Sequence, residues 1–364
     1  MPIEKVDIEI FLKLAEDAPV LDVRSPGEYN HAHIPGACSV PIFTDEQRAV
    51  IGTAYSKESR QKAVNHGLDY FSERMKIIPE EIETIIAEWQ TNKRVTPSSP
   101  SEAGVFLIHC WRGGMRSEAV AWLMNLYGHK IYLLNGGYKE FRRWALSQFE
   151  KKYSLRVLGG YTGSGKTDVL KELKQNGQNV IDLEGMANHK GSAFGSLGES
   201  PQPSHEMFEN ILAIKLSKIN ISNEEANTKN DNASIWIEDE SVHIGTVGIP
   251  KVFWQQMRSS PLFFLDIPFE ERVEYITKAY GIFDKEELAE CILKIQKRLG
   301  SLNTKDAIRF LNENNSREAF SILLKYYDKM YSESLYNREN IQSLLNKVTC
   351  RRVESSNAKK LVVR

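Results

Sequence analysis

The sequence predicts an α/β protein of two domains, each built on a parallel sheet. Three observations carry this. Short apolar runs alternate with helix-like stretches in both halves of the chain, the pattern of β-α-β units. A phosphate-loop motif, Gly160 to Thr167, stands between one such run and a helix. The 364 residues fit two domains at roughly 100–200 residues each. Hydrophobic residues make up 41% and charged residues 26%, so the chain can bury two cores, and disorder over most of it is excluded.

Taken in chain order, the opening MPIEKVDIEIFLKL spaces its apolar residues almost as a helix does and lacks the unbroken apolar core of a signal peptide. Three buried-strand patterns follow. Val20 to Val23 runs into Ser25-Pro26-Gly27, Gly104 to His109 leads into Cys110, and Ile131 to Leu134 leads into Asn135-Gly136-Gly137. Ser117 to Tyr127 reads as the helix between the last two, which makes their strands parallel. Residues 45–88 read as mostly helical and 91–103 as a polar, proline-bearing loop. A charged helix around Phe141 to Tyr153 joins the halves. From Leu155 the alternation resumes with strands in LRVLGG, NVIDLEG, SIWIEDES and PLFFLDIP, and residues 222–234 read as a polar loop. Beyond Phe269 the pattern is helical, with a loose tail from Glu354. The first domain is thus expected at 1–145, with a largely helical insert at about 45–102. The second is expected at 146–364, with a basic helical region from about 270.

No run approaches the roughly 18–20 apolar residues of a membrane span, so a cytoplasmic protein is expected. The four cysteines, Cys38, Cys110, Cys291 and Cys350, include no Cys-x-x-Cys pair; neither a disulfide framework nor a structural zinc site is expected. The net charge of −1 conceals an asymmetry. Residues 291–364 carry 15 Lys and Arg against 7 Asp and Glu, and the remainder carries 32 against 41. A basic end could face an anionic polymer such as RNA, although on charge alone solvated helix faces account for it better. Arg351, Arg352, Lys359 and Lys360 are the candidate contacts.

Gly160-Tyr161-Thr162-Gly163-Ser164-Gly165-Lys166-Thr167 fits G-x-x-x-x-G-K-[ST]. Gly160, Gly163 and Gly165 allow successive N–H groups, including that of Ser164, to turn toward a phosphate chain. The helix N-terminus and Lys166 add positive charge, and Thr167 offers a hydroxyl to Mg²⁺. This implies a diphosphate or triphosphate ligand, not hydrolysis. Of the acids closing the strand Ile235 to Ile237, Asp239 is the candidate for an Mg²⁺-linked role, an acidic turn being the alternative. Asp266 is a candidate helix cap, and Arg272 a candidate for a salt bridge or a phosphate contact.

A second loop joins strand to helix: Cys110-Trp111-Arg112-Gly113-Gly114-Met115-Arg116-Ser117. Backbone N–H groups at the helix start, with Arg112 and Arg116, would favour a thiolate at Cys110. Cys38, Cys291 and Cys350 lack such surroundings and read as structural.

Asp22-Val23-Arg24-Ser25, Glu28-Tyr29, His33 to Ala37, the cysteine loop and Leu134 to Tyr138 together resemble the signature of rhodanese-like domains. Joined to a phosphate loop, the pattern resembles the tRNA 2-selenouridine synthase family. Asp182 to Gly185, His189 to Ser192, Phe194-Gly195, Gln202 to Ser204 and Glu238 to Ser241 are also similar to that family, so the resemblance spans nearly the whole chain. It implies a rhodanese-like domain followed by a P-loop NTPase-like domain. It implies further that wobble 2-thiouridine of tRNA is S-geranylated with geranyl diphosphate, and that selenium from selenophosphate then replaces the geranylated sulfur. Cys110 is similar to the family's catalytic cysteine and would carry selenium, attack, or orient selenophosphate. A selenophosphate-supplying enzyme is an implied partner. One departure stands out: Cys-x-x-x-x-x-Arg is one residue longer than in common single-domain rhodaneses and resembles loops that enclose a whole phosphate, as in cysteine phosphatases. The competing readings are a sulfurtransferase fused to an ATP-dependent kinase-like domain, a nucleotide-gated tRNA-binding module, and a cysteine phosphatase.

Overall fold

The chain divides into two units, residues 1–147 and 148–364, in a computed structural model that describes residues 3–93, 104–225 and 234–362. Unit one holds β1 (Ile3–Val6), β2 (Val20–Asp22), β3 (Cys38–Ser39), β4 (Val105–His109) and β5 (Lys130–Leu134) in one sheet of order β1-β5-β4-β2-β3. Every pairing is parallel. β2, β4 and β5 are largely buried, which is why they read as continuous apolar runs instead of alternating ones. Around them lie α1 (Ile8–Leu14), α2 (Pro26–His31), α3 (Asp45–Lys57), α4 (Arg60–Arg74), α5 (Ile77–Lys93), α6 (Met115–Leu126) and α7 (Gly137–Gln148).

The insert is three helices that share the sheet's core. Phe71 of α4 and Ile78, Ile82 and Ile86 of α5 pack in one cluster with Leu21, Phe106 and Ile108. α3 starts where Thr44 Oγ1 accepts from the Gln47 N–H at 3.2 Å and Gln47 Oε1 accepts from the Thr44 N–H at 3.0 Å, a reciprocal cap.

Unit two has a five-stranded sheet of order β12-β11-β6-β8-β7, built from β6 (Leu155–Gly160), β7 (Asn179–Ile181), β8 (Ile235–Glu238), β11 (Leu262–Asp266) and β12 (Leu345–Thr349). It too is parallel throughout; β9 (His243–Ile244) and β10 (Val247–Gly248) form a small antiparallel pair. The helices are α8 (Lys166–Gln175), α9 (Leu183–Ala187), α10 (His205–Glu225), α11 (Lys251–Arg258), α12 (Phe269–Tyr280), α13 (Lys285–Lys294), α14 (Gln296–Leu299), α15 (Ser301–Asn312), α16 (Ser316–Tyr336), α17 (Ile341–Leu344) and α18 (Lys359–Val362). α12, α13, α15 and α16 close a second core around Val273, Ile292, Ala307 and Leu323. The fold is α/β in both units, with a helix-rich C-terminal part.

Several expectations need correction. The opening segment is a strand and then a helix, because β1 pairs with β5 and only residues from Ile8 form the helix. The joining helix runs over Gly137–Gln148, earlier than expected. The C-terminal region is not wholly helical: β12 adds to β11 over Leu262 to Asp266. Nor is the tail loose, since Asn357, Ala358 and Leu361 are buried and Asn357 Nδ2 donates to Arg352 O at 2.9 Å. Residues 222–225 end α10 and 91–93 end α5; the rest of those two expected loops, 226–233 and 94–103, lies outside the described residues.

Candidate active site

Both glycine-rich loops leave the central strand of their sheet, where open parallel sheets place ligands. In unit one the loop begins at Cys110, the residue after β4, and ends at Gly114, the N-cap of α6. It rests on the Asn135-Gly136-Gly137 turn: the Tyr138 N–H donates to Cys110 O at 2.8 Å and the Lys139 N–H to Trp111 O at 3.0 Å. Gly113 and Gly137 both have positive φ, 64° and 61°. A Cβ on Gly113 would lie 2.6 Å from Leu134 O, and one on Gly137 would strike Cys110 O and Gly113 N. Only glycine permits this approach.

Cys110 is 3% exposed. Ser117 Oγ lies 3.3 Å from its sulfur and 3.0 Å from Gly114 O, so one hydroxyl proton serves either acceptor. Arg116 donates to Glu28 at 2.8 Å. Burial would raise the Glu28 carboxyl, but Arg116, with the Ser25 N–H and Arg48, holds it below its ordinary value. The charge of Arg116 is therefore balanced by a carboxylate from α2. Arg112 is exposed and makes no ion pair among the described residues. The Asp22-Val23-Arg24-Ser25 signature proves supportive: buried Arg24 binds Asp22 (NH2 to Oδ2 2.6 Å) and Ala32 O (2.7 Å) and lies 3.8 Å over the Tyr138 ring. Tyr138 in turn faces Trp111 of the loop at 5.7 Å. His109, fully buried, has its pKa lowered by burial.

In unit two the phosphate loop follows β6 and opens α8. Gly163 and Gly165 have φ of 81° and 71°, the left-handed conformations that turn N–H groups inward. Lys166 Nζ donates to Gly160 O at 3.2 Å, and Ser164 Oγ is buried with no partner among the described residues. α12 and α16 hold the loop from outside: Arg272 donates to Thr162 O at 3.1 Å and forms a two-pronged pair with Asp328 at 2.8 and 2.7 Å. Arg272 is thus a salt-bridge residue that braces the loop.

The acids sort differently from the sequence expectation. Asp239 is engaged by the Tyr331 hydroxyl at 2.6 Å and by buried Arg338, while Tyr331 receives the Gly160 N–H at 3.4 Å. Asp239 is therefore held by Tyr331 and Arg338 behind the loop's strand. The acids that face the loop are Glu184 and Glu240. Thr167 Oγ1 donates to Glu184 at 3.2 Å. Glu184 shares a hydrogen bond with Glu240. Burial raises both, and the Glu184 charge adds to the effect on Glu240, pushed up to about 8. Glu238, completely buried, accepts from the Leu183 N–H at 2.8 Å and is also raised by burial. The sequence signal was present in Glu184 and in the Glu238-Asp239-Glu240 run; which carboxylate faces the loop depends on side-chain alternation at the strand's end. Asp266 does not cap α12, whose N-cap is Pro268; it lies 3.7 Å from Lys347.

The candidate RNA contacts follow β12 in the C-terminal segment. After β12, Val353 packs where a Cβ on Gly165 would meet it at 2.6 Å, so exposed Arg351 and Arg352 sit beside the start of α8. Lys359 and Lys360 are exposed on α18, and Lys360 Nζ reaches Thr349 O at 3.1 Å. Cys38, Cys291 and Cys350 are free thiols far in sequence from either loop. Among the described residues no group of three or more His, Cys, Asp or Glu could hold a metal ion. No described helix is long and apolar enough to cross a membrane.

A parallel-sheet unit with a cysteine loop, followed in the same chain by a parallel-sheet unit with a phosphate loop, defines a rhodanese-like domain fused to a P-loop domain. A family model for the rhodanese-like domain matches residues 7–143, and one for the tRNA 2-selenouridine synthase AAA domain matches residues 153–354. A tRNA 2-selenouridine synthase of Sulfurovum sp. is 34% identical over 86% of this chain and 88% of its own. Those of Cupriavidus pinatubonensis and Hydrogenovibrio crunogenus are 36% and 30% identical, over 72% and 89% of this chain and 66% and 91% of theirs. The chain belongs to the tRNA 2-selenouridine synthase family.

Proposed function

We propose that this protein converts wobble 2-thiouridine of tRNA to 2-selenouridine in two steps. In the first, the 2-thio sulfur attacks the allylic carbon of geranyl diphosphate; the C–S bond forms, the C–O bond breaks and diphosphate leaves. The phosphate loop would take the diphosphate through Lys166 and the N–H groups of Gly163 to Thr167. Where Mg²⁺ takes part, Thr167 and phosphate oxygens would hold it. In the second step selenium of selenophosphate adds at C2 and geranyl thiol departs. Water then splits the Se–P bond and releases phosphate. The cysteine loop would receive selenophosphate beside Cys110, with Arg112 free to meet its charge and Arg116 shared with Glu28.

The observation that supports this reading best is the pairing, in one chain of this family, of a cysteine loop with a separate phosphate loop. The test is a time course of 2-thiouridine, S-geranyl-2-thiouridine and 2-selenouridine in tRNA incubated with purified protein, geranyl diphosphate and selenophosphate. Lys166→Ala should lower the first step roughly 10–10²-fold, from one charge-assisted contact of about 1.5–3 kcal/mol. Unchanged geranylation in a folded variant would remove the phosphate loop from that step. ATP consumption without geranylation would favour the kinase-like alternative.

A further inference from the structure

The cysteine loop carries its largest side chain on the outside. Trp111, the residue after Cys110, is 39% exposed. It ends a chain of four aromatic rings. Trp111 lies 5.7 Å from Tyr138, Tyr138 lies 5.8 Å from Phe141, and Phe141 lies 5.7 Å from Trp144, with tilts of 36°, 32° and 31°. The other three rings are at most 9% exposed. Trp111 is also fixed in place. The Lys139 N–H donates to its carbonyl at 3.0 Å, and the Arg24 guanidinium lies 6.0 Å from its ring. Arg112, its neighbour in sequence, and Lys139 are both exposed, with no ion pair among the described residues.

We propose that the Trp111 indole is the platform on which the uracil base of the tRNA stacks when it is presented to the cysteine loop, which makes Trp111 a substrate-positioning residue of the exchange step. This rests on the reading above and deepens it. The wobble base belongs to a single-stranded loop, and such bases are splayed out and recognised by stacking on aromatic side chains. An indole held from within and open to solvent offers a flat partner that loses little side-chain entropy on binding. A base laid on it would be the next ring of the chain, beside the residue that bears the thiol. The cations on either side suit the phosphates of the same RNA strand or the selenium donor. An apolar protein partner would leave them unmatched.

The experiment compares the affinity of the full chain for two labelled tRNAs by fluorescence anisotropy. One bears 2-selenouridine at the wobble position, and the other is abasic there. The product is used so that no alkyl chain contributes. The wild type should bind the intact tRNA at least about fivefold more tightly, the worth of one stacked base. Trp111→Leu keeps apolar bulk without a ring; it should erase most of that advantage and leave the abasic tRNA unchanged. Trp111→Phe should retain the advantage. A structural role alone would weaken both RNAs alike, and that result would overturn the platform. So would an advantage that survives in folded Trp111→Leu, or none in the wild type; the two-step reading would then still stand or fall on the nucleoside time course. If Trp111→Leu does not fold, the wild type decides. A 5-iodouridine at the wobble position, irradiated in the complex, should crosslink to Trp111, and failure to label Trp111 would overturn the platform. No binding of either tRNA by the wild type would overturn the reading on which it rests.

Discussion

Cys110 gains its position from the packing of its loop against the turn beneath it. Gly113 and Gly137 let the loop and the turn beneath it approach, and Arg24 fixes Tyr138 against Trp111. Cys110→Ser keeps the size and loses the thiol, and serine stays protonated without a strong base. The variant should fold and still geranylate, while exchange of the geranylated sulfur for selenium falls at least about 10²-fold, a barrier rise near 2.7 kcal/mol. S-geranyl-2-thiouridine should accumulate in the nucleoside time course. Wild-type yields of 2-selenouridine would rule out Cys110 as the reacting group. Glu240 carries a separate prediction. It keeps its proton in the fold up to about pH 8, whereas its ordinary value is 4.5. Between those values the folded state binds more protons than the unfolded one. The contribution of this group is therefore complete below pH 4.5 and is lost as pH rises through 8. Thermal melts of Glu240→Gln should fall less steeply from pH 5.5 to pH 8 than those of the wild type. Parallel slopes would mean that Glu240 ionises in the fold as it does in the unfolded chain.

At the scale of elements, β12 and the segment after it tie the C-terminus to the phosphate loop. β12 lies beside β11, Val353 fills the space over Gly165, and Ser355 Oγ reaches Glu172 of α8 at 3.4 Å. This anchoring presents Arg351, Arg352, Lys359 and Lys360 from a fixed surface. If they contact tRNA phosphates, neutralising all four should weaken binding of every tRNA alike. The slope of log affinity against log salt should flatten by about one per contact. An unaltered slope in filter-binding or fluorescence titrations would mark the patch as a solvated surface.

At the scale of the whole molecule, the two loops lie in different units of the chain, which makes the two steps separable in principle. Cys110→Ser and Lys166→Ala, each deficient in 2-selenouridine formation, should restore it when mixed, provided the geranylated tRNA can leave one molecule and enter another. The yield should exceed the sum of the separate variants in the same nucleoside assay. No gain on mixing would mean that the intermediate is not released, or that both loops are needed for one step.

The sequence by itself carried what depends on local order. The α/β class, both strand-loop-helix motifs and the strands that hold Cys110 and Gly160 are written as apolar runs ended by glycines, because a buried parallel strand needs continuous apolar residues and a close turn needs glycine. Tertiary structure decided what depends on residues far apart. β1 and β12 are short, mixed runs that become strands only because β5 and β11 offer unpaired edges. Asp239 and Glu240 are neighbours, yet one meets Tyr331 of α16 and Arg338 of the turn after it while the other meets Glu184. The second core of unit two draws on Phe194, Ile276 and Leu324, which no spacing rule connects. Such sites arise where separate elements converge, and hydrophobic burial and charge pairing choose the partners there after the local pattern has been satisfied.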